Sequence, residues 1–244
     1  MPAIQCFGDE KQLYSALRAE IEGSVAPGDL LALPTGTTPR PLYRILRQDP
    51  AAGPLWSRLS YLQLDDYLDP PAGTELFSEG LARELFDPLG VPEEARLSIP
   101  RDGSGAEKAR RMDDILARNG PIRLVLLGLG GNGHIAFNEP AKSFTRGYHE
   151  VTLAPETVAA NLPASQGRTV RALTIGVDQI LAAERVILAV PQAEKQPLLD
   201  QILASPESPH LPATALLPHP ALTIFRMGPR RLPLQRQSTR SSVQ

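Results

Sequence analysis

The chain holds a single cysteine, Cys6. That excludes an intramolecular disulfide and any cysteine-based zinc cluster. Cys6 reads as a small apolar core residue, and one unpaired thiol fits a reducing compartment. An excess of charge is also lacking. The 244 residues carry 25 basic and 27 acidic side chains, a net charge of −2, so nothing draws the chain to nucleic acid or to a membrane surface. No apolar run approaches the length of about 20 residues that a membrane span needs. The first residues, MPAIQCFGDEKQ, lack a basic segment followed by an apolar stretch, so no signal peptide is expected. The four histidines, His134, His149, His210 and His219, are scattered without metal-ligand spacing. Neither an internal repeat nor an obvious catalytic nucleophile stands out. What remains is a globular protein, expected in the cytoplasm and long enough to bury a sizeable core.

Proline is plentiful, with 25 residues gathered in loops such as Asp69 to Gly73 and in the stretch from Ser205 to Pro220. It stiffens loops, and its abundance reads as a composition bias of the source.

Short apolar runs alternate with helical patterns. Strands are expected at Ile4–Phe7, Asp29–Pro34, Leu59–Leu64, Ile122–Leu127, Ala172–Val177, Arg185–Val190 and Ala221–Met227. Helical spacing marks Asp9–Gly23, a helix beginning at Pro41, Glu75–Phe86, Ala106–Asn119, the stretch DQILAAE and Glu194–Ala204. Strands of five or six residues, apolar throughout and separated by helices, imply an α/β chain: a Rossmann-like open parallel sheet with helices on both faces. Residues 1–228 are expected to form one domain. Residues 229–244 are basic, polar and poor in large apolar groups, and are expected to be a disordered tail.

In such a sheet ligands bind beyond the carboxyl ends of the strands. After the second strand comes Thr35-Gly36-Thr37-Thr38-Pro39. It is either a threonine-capped turn or a phosphate cradle of hydroxyls and helix N–H groups. It is no Walker A loop, because no GK[ST] follows. After the third comes Asp65-Asp66-Tyr67, an acid/base pair or a helix cap. After Ile122–Leu127 comes GLGGNGHIAFNEP, from Gly128 to Pro140. Its glycines suit close backbone approach to a ligand, and their spacing is not the dinucleotide fingerprint. His134, flanked by Asn132 and Glu139, suits proton shuttling near neutral pH. Lys195, near the start of a helix, opposes the helix dipole and so invites an anion; Arg168 and Arg171 are candidates to meet the same anion. A metal-free isomerisation of a sugar phosphate fits this set.

These motifs resemble the glucosamine-6-phosphate deaminase/6-phosphogluconolactonase superfamily, in its amino-sugar-phosphate deaminase branch. The likeness runs from about residue 9 to 227 and is carried by LPTGTTP, LDDY, GLGGNGHIAFNEP, LTIGVDQIL and the lysine of PQAEK. GHIAFNEP is the specific part, since the lactonases share the GH but lack the FNEP. The resemblance implies ring opening and enolisation of an amino-sugar 6-phosphate, with water consumed and a ketose 6-phosphate and ammonia released. It implies no cofactor and no metal. Asp65 falls on the enolisation base, His134 on the ring-opening histidine and Glu139 on its supporting carboxylate. Thr35 to Thr38 fall on the phosphate loop and Lys195 on the phosphate-binding lysine.

Three departures stand out. Asn132 replaces the aspartate of the usual NDGH and cannot ionise. Thr37 replaces the second glycine of TGGTP. The arginine expected in a segment matching VAANLP, Val158 to Pro163, is absent, which leaves Arg168 or Arg171 to substitute. NGH together with GRTVRALTIG is similar to the galactosamine-6-phosphate subgroup, so the substrate is expected to be glucosamine or galactosamine 6-phosphate. A 6-phosphogluconolactonase and a non-catalytic sugar-phosphate sensor are the alternatives. The expected partner is a small sugar phosphate, with neither nucleic acid nor membrane. The family's range from monomers to larger rings leaves a homo-oligomer open.

Overall fold

The computed structural model describes residues 2–228; the tail expected from residue 229 lies outside the described residues. Ten strands are present among them: β1 (Ala3–Phe7), β2 (Leu30–Leu33), β3 (Ser60–Gln63), β4 (Asp65–Tyr67), β5 (Arg96–Leu97), β6 (Ile122–Gly128), β7 (His149–Thr152), β8 (Arg171–Thr174), β9 (Arg185–Val190) and β10 (Leu222–Met227). The helices are α1 (Glu10–Glu22), α2 (Arg40–Gln48), α3 (Gly53–Trp56), α4 (Phe77–Leu81), α5 (Asp87–Leu89), α6 (Gly105–Asn119), α7 (Pro155–Asn161), α8 (Val177–Leu181) and α9 (Gln196–Ala204). None is long and apolar enough to cross a membrane.

Seven strands form one sheet in the order β1-β10-β9-β6-β2-β3-β5, and every neighbouring pair is parallel. All four residues of β2 are buried, as a parallel strand covered on both faces requires. Successive side chains point to opposite faces. Leu30, Ala32, Val125, Leu127, Val186 and Leu188 pack with Met112 of α6 and Leu199 and Ile202 of α9. Leu31, Leu33, Leu124, Leu126 and Ile187 pack with Leu13, Leu17 and Ile21 of α1 and Leu42 and Leu46 of α2. The expected two-faced parallel sheet is therefore present. Cys6, expected in the core, is only half-buried, because it lies on the edge strand β1.

The chain runs outward from β2 to β3 and β5, then returns to place β6 on the other side of β2. The connections leaving β2 and β6 thus diverge, and a crevice opens at their carboxyl ends.

Two expectations need correction. The Asp65-Asp66-Tyr67 stretch is a short strand, and the run read as a parallel strand from Ala172 does not join the large sheet. β4, β8 and β7 make a separate three-stranded sheet in that order, antiparallel throughout, with Asp65 and His149 both opposite Thr174. Ala172, Leu173 and Thr174 are fully buried, and burial on both faces gives an antiparallel strand the apolar run expected of a parallel one. The helix expected over Glu75–Phe86 is present in substance. It widens into a π-turn at Ala82–Phe86, continues as α5 and stops at Gly90 in the left-handed conformation, φ 68°.

Candidate active site

A cavity of about 750 Å³ fills the crevice. The β2–α2 connection contributes Thr35 to Thr38 and Arg40, and β4 contributes Asp65 and Tyr67. The loop after β6 contributes Gly128 to Asn132 and His134. Glu156 and Thr157 come from α7, Lys195 from the turn before α9, and Phe77 and Glu84 from the opposite rim.

The two aspartates divide their work. Asp66 accepts from the backbone N–H of Phe77 at 3.1 Å and of Ser78 at 3.3 Å, and from Gln63 Nε2 at 2.7 Å. It caps the first turn of α4, as the helix-cap reading of this pair required. Burial still leaves its carboxyl raised above the ordinary value, against those hydrogen bonds. Asp65 faces the cavity and is 8% exposed. Burial, with the Asp66 charge added, pushes its carboxyl up from the usual range to about 8. Both effects penalise the ionised form, so this is a carboxylate with unusual basicity.

The loop after β6 wraps tightly around His134. A Cβ on Gly130 would lie 2.3 Å from His134 Nε2, so only glycine lets the backbone pass there. Gly36 supplies the left-handed turn in the threonine loop, φ 88°. Thr37 is not among the described residues with positive φ, so replacing the second glycine costs no backbone strain.

His134 is held by its neighbours. Its backbone N–H donates to Asn132 Oδ1 at 3.2 Å, and its Nδ1 lies 2.8 Å from the same oxygen. Asn132 Nδ2 donates to Glu139 Oε2 at 2.7 Å and to Glu156 Oε1 at 3.2 Å. A carboxylate only accepts, so the amide nitrogen must face the two glutamates and Oδ1 must face the imidazole. Oδ1 cannot donate, so Nδ1 carries the proton. In the neutral ring Nε2 then keeps its lone pair.

Glu139 Oε2 stands 3.5 Å from His134 Nδ1, just behind the cavity wall. Burial raises the Glu139 carboxyl, but hydrogen bonds from His134, Thr157 and Asn132 outweigh it and hold the group below its ordinary value. Asn138, in the same motif, is structural: its Nδ2 donates to the carbonyls of Ile135 at 3.1 Å and Ile175 at 2.9 Å.

Lys195 Nζ reaches the carbonyl of Leu129 at 2.6 Å, and burial lowers its ammonium pKa. Thr38 Oγ1 accepts from Gln192 Nε2 at 2.9 Å. Together the threonine loop, the start of α2 and Lys195 form a cationic, donor-rich wall of the cavity.

Arg168 and Arg171 do not line the cavity. Arg171 opens β8 opposite Thr152 and pairs with Asp69 and with Glu150, the latter at 3.0 Å. Two acids already neutralise it. Arg168 is exposed at the end of the turn after α7. The arginine that lines the cavity is Arg40, the first residue of α2, whose Nε lies 3.2 Å from Glu84. Its place directly after TGTTP was the available signal. Glu156 and Thr157 had no such signal, because their stretch has no clear periodicity.

Comparison with known proteins gives the family of the chain. The family model described as glucosamine-6-phosphate isomerases/6-phosphogluconolactonase matches residues 11–225. A glucosamine-6-phosphate deaminase of Lachnoclostridium phytofermentans is 30% identical over 206 residues, 82% of this chain and 87% of the relative. A putative deaminase AgaI of Escherichia coli K12 is 32% identical over 199 residues, 79% of this chain and 78% of the relative. Among solved structures, a monomeric glucosamine-6-phosphate deaminase superposes with TM-score 0.82 at 25% identity, over 92% of this chain and 97% of that one. A 6-phosphogluconolactonase from Thermotoga maritima reaches TM-score 0.73 at 17% identity, over 94% of this chain and the whole of the other, and speaks to the fold alone.

Proposed function

We infer the function from one premise: the chain belongs to the glucosamine-6-phosphate isomerase/6-phosphogluconolactonase family. Within it the protein is an amino-sugar-6-phosphate deaminase. It converts glucosamine 6-phosphate or galactosamine 6-phosphate, with water, into a ketose 6-phosphate and ammonia. The observation that carries this reading is a buried carboxylate of raised basicity, Asp65, sharing one cavity with a histidine whose Nε2 lone pair is free.

Each step has a group to perform it. The phosphate is a dianion, and the threonine loop, the first N–H groups of α2, Lys195 and Arg40 supply donors and positive charge for it. It is remote from the reacting carbons, so its binding energy holds the sugar in register. His134 Nε2 takes the proton from O1–H and returns it to O5, which opens the pyranose. The transient imidazolium is stabilised by Glu139 at 3.5 Å. Asp65 then takes the C2 proton from the open chain and delivers it to C1, while a proton of the substrate's amino group passes to O1. That leaves an imine at C2, which water hydrolyses to the ketone and ammonia.

Lactone hydrolysis leaves the C2–H bond intact, so a lactonase does not require a base placed for that proton. A non-catalytic sensor would need Asn132 to disable the site, yet Asn132 keeps the His134–Glu139 cluster connected. Asp65→Asn tests the reading. Ammonia release should be abolished, while thermal stabilisation by the sugar phosphate persists. Hydrolysis of 6-phosphogluconolactone that survives in the variant, with no ammonia from the parent, would replace the deaminase by the lactonase.

A further inference from the structure

The Asn132 amide lies between two carboxylates from different parts of the chain. Glu139 belongs to the same loop, seven residues on, and Glu156 comes from the first turn of α7. The two acceptors use both hydrogens of Nδ2. With both occupied, the amide cannot turn over without setting Oδ1 against a carboxylate. The only arrangement left keeps Oδ1 on the backbone N–H and Nδ1 of His134.

We propose that Glu156 is a positioning residue for His134, acting through Asn132: its carboxylate accepts the second amide hydrogen, fixes the Nδ1–H tautomer and so keeps the Nε2 lone pair available for ring opening. This rests on the assignment of ring opening to His134. No proton passes through Glu156. In the step it supports, the O1 proton moves to Nε2 and then to O5, and Nδ1–H stays in place throughout. Glu156 also lines the cavity, so its carboxylate adds negative potential beside the imidazolium when that forms. The competing account is that Glu156 merely favours the helix start as an acidic first-turn residue. That account predicts a change in stability and nothing more.

Imidazole ¹⁵N spectra of the free protein separate the two, with the His134 signals assigned by their loss in His134→Gln. The parent should show one Nδ1–H tautomer. Glu156→Gln, whose amide oxygen still accepts, should keep it, whereas Glu156→Ala, which leaves Glu139 alone to hold the amide, should raise the share of the Nε2–H tautomer. In turnover, Glu156→Ala should lower kcat about tenfold, the cost of one lost orienting hydrogen bond, with KM nearly unchanged. Asn132→Asp should be impaired, because a third carboxylate then faces Glu139 and Glu156. Adding Glu156→Gln should restore part of that loss, since donor and acceptor are exchanged, and such coupling is what a double-mutant cycle reads. A tautomer and kcat unchanged in Glu156→Ala would overturn the proposal. If instead the parent releases no ammonia while the tautomer still responds to Glu156→Ala, the positioning role stands and the assigned reaction fails.

Discussion

Asp65→Asn should make the protein more stable as it makes it inactive, and the gain should depend on pH. The folded state holds the Asp65 carboxyl near 8 through burial and the Asp66 charge, while the unfolded chain holds it near 4. The folded state therefore binds the extra proton between those values, and unfolding stability falls as pH rises through that window. Below about pH 4 the group is neutral in both states and costs nothing; above about pH 8 the penalty is complete and stays level. A carboxyl carried from about 4 to about 8 corresponds to about 5 kcal/mol. Among the described residues no donor is bonded to the carboxylate: Gln63 Nε2 is bonded instead to the Asp65 backbone carbonyl, at 2.9 Å. The isosteric amide therefore removes the charge penalty without breaking a hydrogen bond. At about 2–4 °C per kcal/mol for a chain of this size, Tm of the variant should exceed that of the parent by on the order of 10 °C at pH 8.5, and by little at pH 4.5. Differential scanning calorimetry across pH 4–9 reads this directly. A Tm difference that does not change with pH, or a parent more stable at pH 8.5 than at pH 5, would refute the buried-base argument.

The remaining predictions concern catalysis. Since Asp65 must be ionised to take the C2 proton, kcat/KM should rise with pH toward a plateau above about 8; a profile flat from pH 6 to 9 would assign the base elsewhere. Arg40→Ala should raise KM about tenfold with kcat little changed, the loss of one charge-assisted contact to phosphate, while Arg168→Ala and Arg171→Ala should leave both constants alone. Gly130→Ala places a Cβ 2.3 Å from His134 Nε2. It should lower kcat about a hundredfold by displacing the imidazole, and a far-ultraviolet circular dichroism spectrum matching the parent would show that the fold had survived.

The large sheet was legible because β2, β6, β9 and β10 bury both faces and are bounded by turn residues. The small sheet was not, because a doubly buried antiparallel strand such as β8 carries the same apolar signature as a parallel one. The division between Asp65 and Asp66 was equally hidden. Adjacent residues of a strand point to opposite sides, but which side holds the cavity depends on where α4 packs. Thr35 to Thr38, His134 and Lys195 were readable because each follows a strand that ends at the crevice. Arg171 was misplaced because its acidic partners, Asp69 and Glu150, lie 102 and 21 residues away in sequence. Glu156 sits on a short helix held by tertiary contacts rather than by its own periodicity.

Ammonia release by the purified protein, with glucosamine 6-phosphate and galactosamine 6-phosphate measured side by side, tests the central claim most directly. Release from at least one is expected, and the larger kcat/KM identifies the substrate. Ammonia from neither, under conditions where both sugar phosphates raise Tm, would contradict the account and leave a protein that binds the sugar without turning it over.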